Sequence, residues 1–163
     1  MPNHCTNSVV ITSNTIADIV DFIKSEQTLF DFDHIIPQSL NIKNGGEGWY
    51  DWRCKNWGTK WNSYDLDACG EDDTVSYSFF TAWSPPEPVI AALAARYPDA
   101  KIVHFFEEAG NCFIGEVVYE GGREVSRIEP EWDSEEGIQF RKDRGCYFDE
   151  DEDEDEEGEQ DEE

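Results

Sequence analysis

The chain has 163 residues, with 38 Asp and Glu against 12 Lys and Arg, for a formal net charge of −26. That length predicts one domain with an appendage. Charge of this sign repels nucleic acids and anionic membrane surfaces, which leaves basic proteins as natural partners and direct nucleic-acid binding unexpected.

His4 to Thr12 reads as a strand with Val9, Val10 and Ile11 at its apolar end. Thr15 and Asp18 suit a capping box, after which Ile16, Ile19, Val20 and Ile23 fall at the i, i+3, i+4, i+7 spacing of an amphipathic helix. Leu29 to Pro37 is a mixed apolar loop, Asn41 to Gly48 a glycine-rich excursion, and Trp49 to Lys55 partly helical. Trp61 to Cys69 is extended. Thr74 to Trp83 alternates, with Val75, Tyr77 and Phe79 on one face, and Cys69 to Asp73 makes the turn between these strands. Ser84-Pro85-Pro86-Glu87 is a helix start with Ser84 as cap, and Val89, Ile90, Leu93, Ala94 and Tyr97 line one face before Pro98 stops the helix. Lys101 to Glu107 is a strand, and Phe113 to Glu120 with Arg123 to Ile128 a hairpin across Gly121-Gly122.

The order β-α-β-β-α-β plus hairpin predicts an α+β fold. It is the split βαβ, ferredoxin-like plan: an antiparallel sheet with two helices on one face, extended by the hairpin. The expected organisation is a ferredoxin-like domain over residues 1–128 with an insertion at about 29–60, an acidic irregular extension over 129–148, and a tail over 149–163. Thirteen of the fifteen tail residues are acidic and none is hydrophobic. Nothing there offsets the backbone ordering cost of roughly 1–2 kcal/mol per residue, so disorder is expected. With the tail set aside, 25 acidic residues still face 12 basic ones.

No stretch approaches the roughly 20 apolar residues of a spanning helix. Met1 to Val10 lacks the basic start and apolar run of a secretory leader. Five widely spaced cysteines (Cys5, Cys54, Cys69, Cys112, Cys146) without a CxxC pair fit a reducing, cytoplasmic setting.

Four of the six tryptophans lie between Trp49 and Trp61, a segment closed by Asn56-Trp57-Gly58-Thr59-Lys60-Trp61. Two readings stand side by side. In one, the indoles with Arg53 and Lys60 form an exposed cradle for a base, a sugar or a partner's arginine. In the other, Trp57 and Trp61 pin the insertion to the sheet, with Gly58 at a tight turn and Asn56 and Thr59 spent on backbone groups. Phe32-Asp33-His34-Ile35-Ile36-Pro37, this hexapeptide, and the strand hairpin and Pro-opened helix that follow together resemble the YubB ferredoxin-like, or Api92-like, family of phage and plasmid proteins. The likeness runs from about Asn3 to Ile128 and leaves the acidic tail outside. It implies a ferredoxin-like fold and a mobile-element origin, hence a bacterial host cytoplasm, and no settled activity.

Chemistry-bearing residues are sparse. Asp33 and His34 are adjacent, but no nucleophile accompanies them, and no catalytic residue is assigned. His104 reads as a satisfied sheet histidine, and His4 beside Cys5 is poor zinc geometry. Asp65-x-Asp67-x-Cys69-Gly70 starts like a calcium loop, but Cys69 and Ser76 occupy positions that need oxygen ligands of another kind. No metal and no cofactor are expected. An extended Asp/Glu run, at about 3.3 Å per residue, approximates the charge spacing of one B-DNA strand at about 3.4 Å.

The expectation is therefore a non-enzymatic acidic protein that binds a basic nucleic-acid-handling host protein or nucleoprotein complex, such as a defence nuclease or a CRISPR complex, and blocks nucleic-acid access by polyanion mimicry. Its candidate partner-binding residues are Trp49, Trp52, Trp57, Lys60 and Trp61, then Glu129, Glu131, Asp133, Glu135 and Glu136, and in the tail Asp149, Glu150, Asp151 and Glu152. The alternative is a small-ligand protein or enzyme with a pocket near residues 49–64, lined by Trp57, Trp61, Tyr64, His34 and Lys60.

Overall fold

The computed structural model describes residues 2–145. They carry β1 (His4–Thr12), α1 (Ile16–Ile23), α2 (Phe32–Ile35), α3 (Leu40–Lys43), α4 (Trp49–Asn56), β2 (Tyr64–Glu71), β3 (Thr74–Ala82), α5 (Glu87–Arg96), β4 (Lys101–Glu108), β5 (Phe113–Glu120), β6 (Arg123–Ile128) and α6 (Glu135–Asp143). Two compact units are present, Met1–Glu129 and Pro130–Glu163.

In the first unit six strands form one sheet in the order β2-β3-β1-β4-β5-β6, antiparallel throughout. The first four strands are the ferredoxin-like arrangement, and the β5–β6 hairpin widens it as expected. Gly121 and Gly122 both have positive φ (64° and 80°), the geometry a two-residue hairpin turn needs. The partner turn between β2 and β3 is tighter than the sequence suggested. Glu71 pairs with Thr74, so only Asp72 and Asp73 turn, and Asp72 takes the left-handed φ of 54°.

Alternation in β1 sends Cys5, Asn7, Val9 and Ile11 to one face of the sheet. Ile19 and Ile23 of α1 and Val89, Ile90, Leu93 and Ala94 of α5 bury against that face, together with Ile102, Phe106, Val117 and Tyr119. These two helices are the pair the periodicity predicts. Their caps differ from expectation. Thr15 makes no side-chain cap on α1; its own N–H is taken by the Ser13 hydroxyl at 3.1 Å. Ser84 does not cap α5, whose N-cap is Pro86; its hydroxyl reaches the Gly58 carbonyl instead.

The insertion carries three short helices: α2 and α3 where irregular chain was expected, and α4 over the stretch expected to be partly helical. Asp31 caps α2 by accepting from the Asp33 N–H, and Ser39 caps α3 by accepting from the Ile42 N–H. In the second unit, the stretch expected to be irregular carries α6. Ser134 caps it through the Gly137 N–H, and Glu135 and Glu136 sit in its first turn, where the helix dipole favours negative charge. Arg141 donates to the Trp132 carbonyl at 2.9 Å and lies 4.0 Å from that indole. The acidic tail lies outside the described residues. No helix among them is long and apolar enough to cross a membrane.

Candidate functional site

The hexapeptide Asn56–Trp61 splits between the two readings, residue by residue. Asn56 donates to the Trp52 carbonyl and closes α4. Trp57 is 1% exposed and its indole N–H donates to the Ile36 carbonyl at 3.0 Å. Gly58 has φ +77°, and a Cβ there would come within 2.8 Å of Pro88. Thr59 is buried and donates to the Ala82 carbonyl. This half is structural. Trp57 leaves the list of binding residues because its ring is packed edge-on against Phe32 and Trp52 in the core. Trp52 itself packs on the core, and Trp49 is partly buried with the Arg53 guanidinium 5.0 Å from its ring.

Lys60 and Trp61 form the outward half. The Lys60 ammonium lies 4.6 Å from the Trp61 ring, 5.4 Å from Trp83 and 6.0 Å from Tyr50. Those three rings are 38%, 38% and 43% exposed. Trp61 continues onto the open sheet face through Tyr64 at 6.3 Å, and Tyr64 meets His4 at 5.5 Å and Phe80 at 6.0 Å. His4, Trp61, Asn62, Tyr64 and Pro2 enclose an open cavity of about 350 Å³ with an almost wholly apolar lining. Trp83 was not foreseen. It has φ 64°, a conformation that costs a bulky L-residue on the order of 1–2 kcal/mol. Its N–H bonds to the Asn3 carbonyl. The signal available in sequence was the Trp-Ser-Pro-Pro that ends β3, but nothing there reports a positive φ.

The pocket imagined from Trp57, Trp61, Tyr64, His34 and Lys60 is not assembled. Trp57 is in the core, and His34 lies on α2 with its Nδ1 at the Phe22 carbonyl. Asp33 points elsewhere. Burial works against its charge, but donors from Gln38 and the Lys43 ammonium hold its carboxyl below the usual range. The neighbouring polar cluster of Asp31, Asn62, Gln38 and Arg53 is consumed in tying the insertion together: Asn62 bridges Asp31 and the Phe32 N–H, and Arg53 donates to Gln38. His104 is fully buried, with Nε2 at 2.9 Å from the side-chain amide oxygen (Oδ1) of Asn7. Burial, with a smaller push from Arg127, lowers its pKa to about 3. Among the described residues, no group of three or more His, Cys, Asp or Glu is placed to hold a metal ion.

The carboxylates divide as sharply. Arg127 pairs with Glu129 at 2.9 Å, with Glu124 at 2.6 Å and with Glu87 at 2.7 Å. Glu131, Asp133, Glu135 and Glu136 are exposed. Asp149, Glu150, Asp151 and Glu152 lie outside the described residues. A further acidic group stands out: edge strand β2 and its turn carry Asp65, Asp67, Glu71, Asp72 and Asp73, all exposed and none in an ion pair among the described residues. The cations are occupied elsewhere. Lys24, Lys43, Lys101 and Arg127 meet carboxylates. Arg53, Lys60, Arg96, Arg141 and Arg144 lie over aromatic rings.

A family model described as the ferredoxin-like domain in Api92-like protein (DUF1281_C) matches residues 56–163. The match begins at the hexapeptide, so β1, α1 and most of the insertion precede it. It also runs through the acidic tail, where the likeness read from sequence had stopped at Ile128. No curated protein matches. Among solved structures, the chain is similar to a protein api92 from Yersinia pseudotuberculosis, with a TM-score of 0.53 and 22% identity over 64% of this chain and 40% of that one. The chain thus spans less than half of that relative, and the likeness is one of fold. The six-stranded antiparallel topology and the family match agree: this chain belongs to the family of ferredoxin-like domains of Api92-like proteins.

Proposed function

We propose that this chain is a non-enzymatic acidic protein of a phage or plasmid that binds a basic, nucleic-acid-handling host protein and blocks its access to nucleic acid. The observation that carries the reading is the distribution of charge. Nine of the twelve cations are held against carboxylates or aromatic rings, while the carboxylates of β2 and its turn have no cationic partner. The outward field at that edge is therefore anionic. Asp65, Asp67, Glu71, Asp72 and Asp73 fall within nine residues of an edge strand and its turn, which concentrates negative charge there. Glu131, Asp133, Glu135 and Glu136 of the second unit, and the Asp/Glu run of the sequence from Asp149, add further negative charge to the chain. Such a surface steers a Lys/Arg groove toward it, with a strength that falls as salt rises. In the cytoplasm of a bacterial host, a defence nuclease or a CRISPR complex has a groove of this kind.

The test is capture of partners from nuclease-treated lysates of bacteria carrying defence systems, followed by association kinetics across a salt series. A basic nucleic-acid-handling protein that elutes with salt, and that associates more slowly with the chain lacking Asp149–Glu163 or with a D67K/E71K variant, supports mimicry. Failure to enrich such a protein, or an unchanged salt slope in both variants, sinks it.

A further inference from the structure

We propose that the polar cavity inside the insertion binds a free α-amino acid with a polar side chain, its ammonium on Asp31 and its carboxylate on Arg53. This site is separate from the acidic sheet edge and from the pocket expected around Trp61.

Asp31, Asp33, Gln38, Lys43, Arg53 and Asn62 line a cavity of about 370 Å³, to which the Trp57 indole adds an apolar part. That volume lies in the range of small-molecule sites, about 300–1,000 Å³. The cavity is less open to solvent than the one beside Trp61, and its lining is mostly polar. Gln27, Asp31, Asp33 and Lys43 also line a second, more open cavity, so the two adjoin and leave room for a ligand side chain.

The hydrogen bonds that tie the insertion together leave two charges over. Asp31 is 7% exposed. Its Oδ1 accepts from the Asp33 N–H at 2.9 Å and from the Asn62 amide at 2.8 Å, while Oδ2 has no partner among the described residues. Oδ2 is not sealed off from solvent, and the space its side chain borders is this pair of cavities. A largely buried carboxylate with one unbonded oxygen is costly unless a donor meets it. Arg53 donates from Nε to Gln38 at 2.8 Å, and its guanidinium lies 5.0 Å from the Trp49 ring and 5.4 Å from Trp57. Those contacts orient the guanidinium and leave Nη1 and Nη2 without a hydrogen bond. Such a fork of N–H donors grips a carboxylate through two bonds. Asp31 and Arg53 form no ion pair with each other.

Charge balance selects the ligand. Asp33 and Lys43 are paired in the wall at 3.2 Å. One carboxylate and one guanidinium remain. A simple cation would leave Arg53 unmet, and a simple anion would leave Asp31 unmet. A zwitterion meets both, and an α-amino acid carries its two charges on one carbon, small enough for this space. The side-chain amides of Gln27 and Asn44, which also line the cavity, are engaged by no group among the described residues and suit a polar ligand side chain.

The experiment titrates the full chain calorimetrically with glutamine, asparagine, serine, glutamate and lysine, each as the free L-amino acid. The expected result is saturable binding of at least one, with a Kd below about 1 mM. The N-acetyl and the carboxamide derivative of that amino acid, each lacking one charge, should bind at least tenfold more weakly. Asp31→Asn, which keeps an acceptor for the α2 cap, and Arg53→Gln should weaken binding at least tenfold, while Val125→Ser on β6 leaves it unchanged. Urea midpoints of the variants separate loss of binding from loss of folding, and the two blocked ligands test the same charges on the parent chain. No saturable heat from any of the five up to about 1 mM, equal binding of either blocked derivative, or unchanged affinity in either folded site variant overturns the proposal.

Discussion

The indole N–H of Trp57 donates to the carbonyl of Ile36 at 3.0 Å, joining the end of α4 to the residue that closes α2. One side chain thus fills the core and holds both ends of the insertion. Trp57→Ala should cost about 3–5 kcal/mol by lost burial and cavity formation. Trp57→Phe should keep most of the packing and leave the Ile36 carbonyl without its donor, at about 1–3 kcal/mol. Urea unfolding of the two variants measures both. A loss below 1 kcal/mol in the alanine variant would mean that the insertion folds without this anchor.

Gly58 and Gly48 both have positive φ, but only Gly58 faces a neighbour, with Pro88 Cδ 2.8 Å from the position of an added Cβ. Gly48→Ala should cost only the left-handed penalty of about 1–2 kcal/mol. Gly58→Ala should cost distinctly more, since α5 must shift to admit the methyl. Equal denaturation midpoints for the two variants would contradict the close approach.

His104 gives a pH dependence with a definite sign. Its pKa is about 3 in the fold and about 6.5 in an unfolded chain. Between those values the unfolded state binds the extra proton, so stability is full above about pH 6.5 and falls as pH drops toward 3. The slope is at most about 1.4 kcal/mol per pH unit, or up to about 2 kcal/mol between pH 6.5 and pH 5. Comparing urea midpoints of the parent and of a folded His104→Gln variant at both pH values isolates this contribution. A parallel loss in the two proteins would assign the effect to other groups.

Burial pushes the Cys5 thiol up to about 12, while Cys54, Cys69 and Cys112 are exposed. Iodoacetamide at pH 8 should label those three within minutes and leave Cys5 unmodified until denaturant is added, because the thiolate is the reacting form. Mass spectrometry of tryptic peptides reads this directly. Rapid native labelling of Cys5 would show that β1 opens far more easily than a central strand should.

Much of the fold was legible because its signals are local. β1 and α1 follow from alternation and from Ile16, Ile19, Val20 and Ile23 at helical spacing, and the Gly121-Gly122 pair marks its own turn. The insertion and α6 were less legible. α2 and α3 are four residues each, too short for a period, and are held by caps from Asp31 and Ser39 that read equally well as loop residues. α6 is dominated by charged residues and has a weak apolar stripe, so its charge pattern masked a helix with a Ser134 cap.

Composition and spacing alone determined that this is an acidic α+β chain with a ferredoxin-like order of elements, because net charge sums over residues and periodicity is a property of neighbours. Which tryptophans are core and which are surface was decided only by the tertiary structure. Trp57 and Trp61 are four residues apart in one motif, yet the turn at Gly58 beneath Pro88 sends one inward and the other out. Trp83 joins Trp61 only because β3 ends, under a left-handed φ, beside Lys60. Burial is a relation among distant segments, and no local pattern encodes it.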